Sequence, residues 1–191
     1  MKNIKITSII ILLFIGFSGI SQKYTNKDNV NVSKKWNGNT FTSSKTFAEN
    51  ISEAIDFSQL KRALENKDLL NAIGSEEMVT IFAVSNSGFE KYQEKQDSIF
   101  DVSNAKNLNA IIKYHIIPGR VDSYVIKKSI EKKGGVIYYA TLQGGKLGIK
   151  EENGQLILID AEGNKSVISA TDFYHKNGFF HIVDGIVYPK L

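Results

Sequence analysis

Val79-Thr80-Ile81-Phe82-Ala83-Val84-Ser85-Asn86-Ser87-Gly88-Phe89 is the stretch whose reading decides the fold of this chain. The run from Val79 to Val84 opens on β-branched residues and shows no polar alternation, the pattern of a short strand covered on both faces. Ser85 and Asn86 then interrupt it with short polar side chains suited to capping, and Phe89 and Tyr92 come next at helical spacing. The expected order is strand, polar turn, helix.

Upstream of this unit the pattern is helical. Ser58 is placed as an N-cap for a helix that aligns Leu60, Ala63 and Leu64, and Gly74 closes a second piece over Asp68–Ile73. Downstream, Asn104 is placed to cap a helix carrying Leu108, Ile111 and Ile112, which leaves through Tyr114-His115-Ile116-Ile117-Pro118-Gly119. Proline followed by glycine forbids continuation and forces a turn. Ser123–Lys132 reads as another amphipathic helix.

From Val136 onward the character changes. Val136–Leu142, Leu147–Lys150, Leu156–Asp160, Val167–Ala170 and Phe179–Tyr188 read as strands, separated by Gly144-Gly145, Asn153-Gly154, Gly163-Asn164 and Asn177-Gly178. Asn-Gly supplies the positive φ angles of tight hairpins, so the spacing predicts antiparallel pairing. The fold class is α+β: a helical N-terminal part packed on a largely antiparallel sheet. No internal repeat is visible.

The domain reading divides the chain at residues 21 and 45. Residues 1–21 have the form of a signal peptide: Lys2 and Lys5 precede an apolar run from Ile6 to Ile20, and Gly19 and Ser21 set small side chains at a cleavage site after Ser21. The run is shorter than the ~20 apolar residues of a membrane span, so no stable membrane anchor is expected once it is removed. Residues 22–45 are polar and read as an N-terminal extension, disordered or loosely attached, in which Trp36 and Phe41 pin the segment to the domain or, alternatively, form a partner-binding tag. Residues 46–191 form the domain. The chain has no cysteine, so an exported fold must rest on burial alone, which a domain of this size supports.

Composition and motifs narrow the function. The formal charge is only +4, two of it from Lys2 and Lys5, which argues against a nucleic-acid partner. Lys127-Lys128 and Lys132-Lys133 are local pairs and read as solvated surface. The sequence contains no glycine-rich phosphate loop and no G-x-S-x-G. His115, His175 and His181 are the only histidines, with no H-E-x-x-H, and His181 and Asp184 fall on opposite faces of a strand. No metal, cofactor or catalytic residue is expected.

Three pieces in order carry a family resemblance. Thr80 to Phe89 resembles the first signature of fasciclin domains. Tyr114-His115, followed by aliphatic residues and Pro118-Gly119, resembles their central Tyr-His motif, and Asn177-Gly178-Phe179-Phe180-His181-Ile182-Val183-Asp184, closing on Pro189, resembles their C-terminal signature. The match covers about Thr46 to Leu191. Val84 stands where proline is common and Gly88 where alanine is often found.

The resemblance implies a secreted or periplasmic adhesion module that engages a cell-surface or matrix protein or a glycan, and not an enzyme. It also implies candidate partner-binding residues. Tyr114 and His115, flanked by Ile111, Ile112, Ile116 and Ile117, match a motif tied to integrin recognition in animal relatives, and Asp172-Phe173 falls where those relatives carry Asp-Ile. The competing structural expectation is that Tyr114 and His115 are buried with their polar atoms paired, and that Asp172 holds a loop by accepting backbone N–H groups. Two other functions are carried as alternatives: a carrier of small apolar ligands between helices and sheet, and a hydrolase using His115 or His181 with a carboxylate.

Overall fold

The computed structural model describes residues 31–93 and 105–190, so residues 1–21, expected to be a signal peptide, residues 22–30 and the Asn104 cap lie outside the described residues. From Asn31 the chain forms one compact unit. It opens on a hairpin, β1 (Ser33–Trp36) and β2 (Asn39–Thr42), turned by Asn37 and Gly38 at φ 44° and 78°. The domain thus starts before Thr46, the boundary expected from sequence. The reason is Phe41, which is buried at 1% exposure with ring centroids 5.0 Å from Phe180 and 5.3 Å from Phe173. Asn50 ties the hairpin down: its Oδ1 accepts from Thr42 N at 2.9 Å and its Nδ2 donates to Thr42 O at 3.0 Å.

Three short helices come next: α1 (Phe47–Ser52), α2 (Ser58–Ala63) and α3 (Lys67–Gly74). Thr46 and Glu49 form a reciprocal capping box on α1, and Asn66 caps α3 through Asp68 N and Leu69 N. Ser58 does not cap α2; it is the first residue inside it. The cap arrives from elsewhere in the chain. Asn86 Oδ1 accepts from Gln59 N at 3.1 Å and Ser58 Oγ at 3.2 Å, while its Nδ2 donates to Ile55 O at 3.0 Å. A residue of the strand-to-helix turn therefore closes a helix 27 residues upstream.

The strand expected from the opening stretch is β3 (Val79–Val84), buried at every position, with α4 (Asn86–Gln93) directly after it. Then come α5 (Ala105–Tyr114), β4 (Ile116–Pro118), α6 (Ser123–Lys133), β5 (Ile137–Ala140), β6 (Lys146–Glu152), β7 (Gln155–Ile159), β8 (Lys165–His175) and β9 (Gly178–Val183). The seven-stranded sheet runs β4-β3-β9-β8-β7-β6-β5. All its pairs are antiparallel except β3 with β9, which is parallel. Parallel pairing comes from bringing the first strand of this sheet beside the last, which local hairpin spacing does not report.

Irregularities of the sheet place the motif residues. β8 does not stop at Ala170 but continues to His175 through two register shifts, with Asp172 at φ 59° within the second. The two edges of the sheet also approach each other, because Leu142 N, just past β5, donates to Ile116 O on β4 at 2.8 Å. Gly178 begins β9 at φ 150°, and a Cβ there would lie 1.8 Å from Val79 O. Only glycine lets the parallel strands close at that point.

Candidate functional site

Tyr114 and His115 stand where α5 ends and β4 begins, at 2% and 1% exposure. Tyr114 Oη donates to Lys146 O at 2.7 Å, tying the helix end to the start of β6. Burial, with Asp160 nearby, pushes its hydroxyl pKa up to about 12. His115 Nδ1 donates to Ile111 O at 2.9 Å and its Nε2 accepts from Val187 N at 3.3 Å. Its carbonyl accepts from Phe82 N at 2.9 Å. Burial holds the imidazole neutral, with a pKa of about 4, in the tautomer those two bonds require. The pair thus joins α5 to β6, β3 and the C-terminal segment.

The C-terminal segment has a second anchor. Asp160, buried at 6% exposure, accepts from Tyr188 N at 2.8 Å while also closing the β7–β8 turn through Glu162 N and Asn164 N. Consecutive amides, Val187 and Tyr188, therefore dock on His115 and Asp160. Sequence reasoning missed Asp160, and its only local signal was an aspartate ahead of a Gly-Asn turn.

Asp172 and Phe173 lie on the bulged part of β8. Phe173 is 1% exposed, stacks on Phe180 at 5.1 Å and carries the Lys34 ammonium 4.8 Å above its ring. Asp172 accepts from Ser123 N at 2.8 Å and from Ser123 Oγ, fixing the first residue of α6. Asp122 caps the same helix through Val125 N at 2.8 Å. Partial burial works to raise the Asp172 pKa, but the Ser123 hydrogen bonds and the facing His181 outweigh it and hold the carboxyl below its ordinary value. The two sequence motifs have separate partners and form separate junctions.

His181 is the other histidine named as a candidate base. Its Nε2 donates to Val121 O at 2.9 Å and its Nδ1 accepts from Asp172 N at 3.2 Å, with Asp172 Oδ1 3.9 Å away. Ser123, Asp172 and His181 do meet, but in an order that does not activate a nucleophile. The hydroxyl bonds to the carboxylate, and both imidazole nitrogens are engaged at 0% exposure. Asp184 points elsewhere, accepting from Val167 N at 2.8 Å and Lys91 Nζ at 3.0 Å. Among the described residues no group of three or more His, Asp or Glu side chains could hold a metal ion.

What such an arrangement offers is a rigid scaffold whose motif residues mostly face inward, and comparison with known proteins says which scaffold it is. The family model of the fasciclin domain matches residues 55–189. The chain belongs to the fasciclin domain family. This fasciclin domain is 27% identical over 136 residues to protein sll1483 of Synechocystis, covering 71% of this chain and 68% of that protein. It is 29% identical to human periostin over 76% of this chain, and 27% identical to the pig transforming growth factor-beta-induced protein ig-h3 over 70%. The matched region spans only 16% of periostin and 18% of ig-h3. Among solved structures, a FAS1 domain pair from the insect cell adhesion molecule fasciclin I superposes with a TM-score of 0.64 at 13% identity, over 84% of this chain and 66% of that one. The fold is the fasciclin fold.

The two departures from the family pattern prove to be neighbours. A Cβ on Gly88 would lie 2.8 Å from Val84 Cγ1 and 3.0 Å from Gly185 N. Backbone atoms of Asp184 and Gly185 as well as the valine side chain therefore leave no room for a Cβ at position 88.

Proposed function

We propose that this fasciclin domain is an adhesion module acting outside the cytoplasm, secreted or periplasmic, that engages a cell-surface or matrix protein or glycan. The observation that carries the reading is membership of a family whose fold it shares with an insect cell adhesion molecule. The site geometry is compatible with it: His115 and His181 are buried, and Tyr114 and His115 are committed to internal hydrogen bonds. Export rests on the Lys2/Lys5 start and the small residues before Gln22, with residues 1–21 removed as a signal peptide. Among the described residues no helix is long and apolar enough to cross a membrane.

Within this reading Tyr114, His115 and Phe173 act from beneath the surface by fixing the backbone that partners touch. Asp172, whose carboxylate is part-exposed, is the one member of the set placed for direct contact. The test is adhesion of the purified mature domain to cell-envelope and matrix material, with Asp172→Ala beside it. Retention by neither material would refute the module reading, and full retention by Asp172→Ala would remove Asp172 from the contact surface. Mass spectrometry of the protein from its native source checks export, with an N-terminus near Gln22 as the expected result.

A further inference from the structure

Helix α6 gathers four exposed lysines within eleven residues. Ile126 and Ile130, at 0% and 8% exposure, define its buried face. Residues two positions away are rotated by about 200° on a helix of 3.6 residues per turn, so Lys128 and Lys132 point to solvent. Lys127 and Lys133 are exposed beside them, and Glu131 is the single acid on the helix. Elsewhere some lysines meet carboxylates, Lys45 with Glu53, Lys91 with Asp184, Lys150 and Lys165 with Glu152, while exposed lysines without an ion pair among the described residues, such as Lys67, Lys176 and Lys190, stand singly in the sequence. Among the described residues none of the four α6 lysines has an ion pair. The same helix exposes Tyr124 at 68% and Val125 at 40%, and the Lys128 ammonium sits 5.7 Å from the Tyr124 ring centroid.

We propose that the exposed face of α6, formed by Tyr124, Lys127, Lys128 and Lys132 and continued at the helix end by Lys133, is a docking surface for an acidic polysaccharide. The proposal rests on the adhesion reading and names its partner class. Charge complementarity selects a polyanion: four ammonium groups along one short helix, offset by the single carboxylate of Glu131 and without an ion pair among the described residues, match closely spaced carboxylates or sulfates and would release counterions on binding. The cations are all lysines, which act as point charges and lack the planar fork that reads phosphates and bases, so a nucleic acid is the poorer fit. A lipid surface is also poorer, because exposed apolar side chains lie only at the helix start while its apolar stripe is buried in the core. Tyr124 adds a rigid ring against which the apolar face of a sugar can lie.

The experiment measures binding of the mature domain to heparin, to alginate and to vesicles of phosphatidylcholine and phosphatidylserine. It compares the wild type with a variant carrying Lys→Gln at positions 127, 128, 132 and 133, and with a control carrying Lys→Gln at the exposed positions 61, 67, 106 and 190. All these side chains are solvent-exposed, and matched thermal midpoints confirm that each variant is folded. The α6 variant should bind heparin and alginate at least about tenfold more weakly, with a flatter salt dependence, while the control changes less than about twofold. Binding of heparin but not alginate would assign a sulfated partner, and the reverse a carboxylated one. Equal losses in both variants, or tighter binding to vesicles than to either polysaccharide, would overturn the proposal. If the wild type adheres to extracellular material and the α6 variant adheres equally, the docking surface is wrong and the module reading stands. If the wild type adheres to no extracellular material yet binds heparin through α6, the module reading fails and the surface assignment holds.

Discussion

The Tyr114-His115 junction and the Asp172-Phe173 bulge each set a polar residue beside a buried ring, yet they treat the polar group in opposite ways. At the first, both side chains are sealed and each side-chain hydrogen bond reaches one internal backbone group, so the polar atoms are neutral and fixed. At the second, only the ring is sealed. The carboxylate stays charged and reaches outward to the start of α6. A buried neutral pair is worth its packing and its hydrogen bonds and is vulnerable to acid, whereas a charged surface cap is worth little in stability and is free to meet a partner.

Acid separates the two regions most. His115 and His175 have pKa values of about 4 because burial disfavours the charged ring, and His181 is lowered for the same cause. An unfolded histidine takes up a proton near pH 6.5, so their stabilising effect is complete above that pH and is lost as pH falls toward 4. The slope is about 1.4 kcal/mol per pH unit for each group, giving on the order of 3 kcal/mol for His115 and as much for His175. Those losses compare with the ~5–15 kcal/mol total stability of a domain, so denaturant midpoints should collapse between pH 6.5 and 4. Asp172 works in a lower window. Its lowered pKa contributes stability above the ordinary carboxyl value and loses it only as pH falls further. A flat stability profile from about pH 7 to 4.5 would contradict the buried neutral state of the histidines.

Phe173→Ala tests whether the bulge is a core element despite its charged neighbour. The ring contacts Phe41 and Phe180, so truncation should cost about 3–5 kcal/mol. Restoring the aliphatic residue of relatives with Phe173→Ile should recover most of that. Chemical denaturation of the two variants reads the difference, and a nearly neutral Phe173→Ala would show that β2 does not depend on this ring.

At the other junction, His115→Ala leaves a cavity and strands the Val187 amide, at a cost of roughly 2–4 kcal/mol. Adhesion should fall only as far as the folded fraction does. A fully stable His115→Ala protein that no longer adheres would reverse the reading and make Tyr114-His115 a contact site.

Legibility in the sequence depends on which interactions are local. β3 is readable because a strand buried on both faces needs no partner to be recognised. The hairpin at 33–42 is not, since four-residue strands facing solvent leave only Trp36 and Phe41 as signal. β8 reads as ending at Ala170 in the sequence because its register shifts break the two-residue period on which strand reading depends. Ser58 mimics a cap for α2 because the true acceptor, Asn86, is distant in sequence. At the site, the sequence foretells paired, buried polar atoms at Tyr114 and His115 but not their partners. Asp172 is expected to hold its own loop; its acceptor role is instead spent on Ser123, 49 residues away. Such couplings are fixed by topology and leave no periodic trace.

The smallest effect belongs to Asp172 itself, and it carries the most information. Asp172→Asn keeps the size of the side chain and one carbonyl oxygen for the Ser123 amide, but removes the charge that faces His181 and accepts the Ser123 hydroxyl. The group is part-exposed, so solvent screens its charge and the loss should be about 0.5–1.5 kcal/mol near neutral pH. Asp172→Ala also removes the remaining acceptor and should cost slightly more, while the φ of 59° is tolerated best by asparagine or aspartate. Stability alone would then rank Asp172→Asn well below His115→Ala. Adhesion is expected to rank them differently: if Asp172 is a contact, Asp172→Asn should weaken retention several-fold while the protein remains folded. A pair of denaturant titrations and retention curves at neutral pH decides it. Should adhesion follow stability in both variants along one line, Asp172 is a helix cap and nothing more, and the open half of the comparison loses its functional claim.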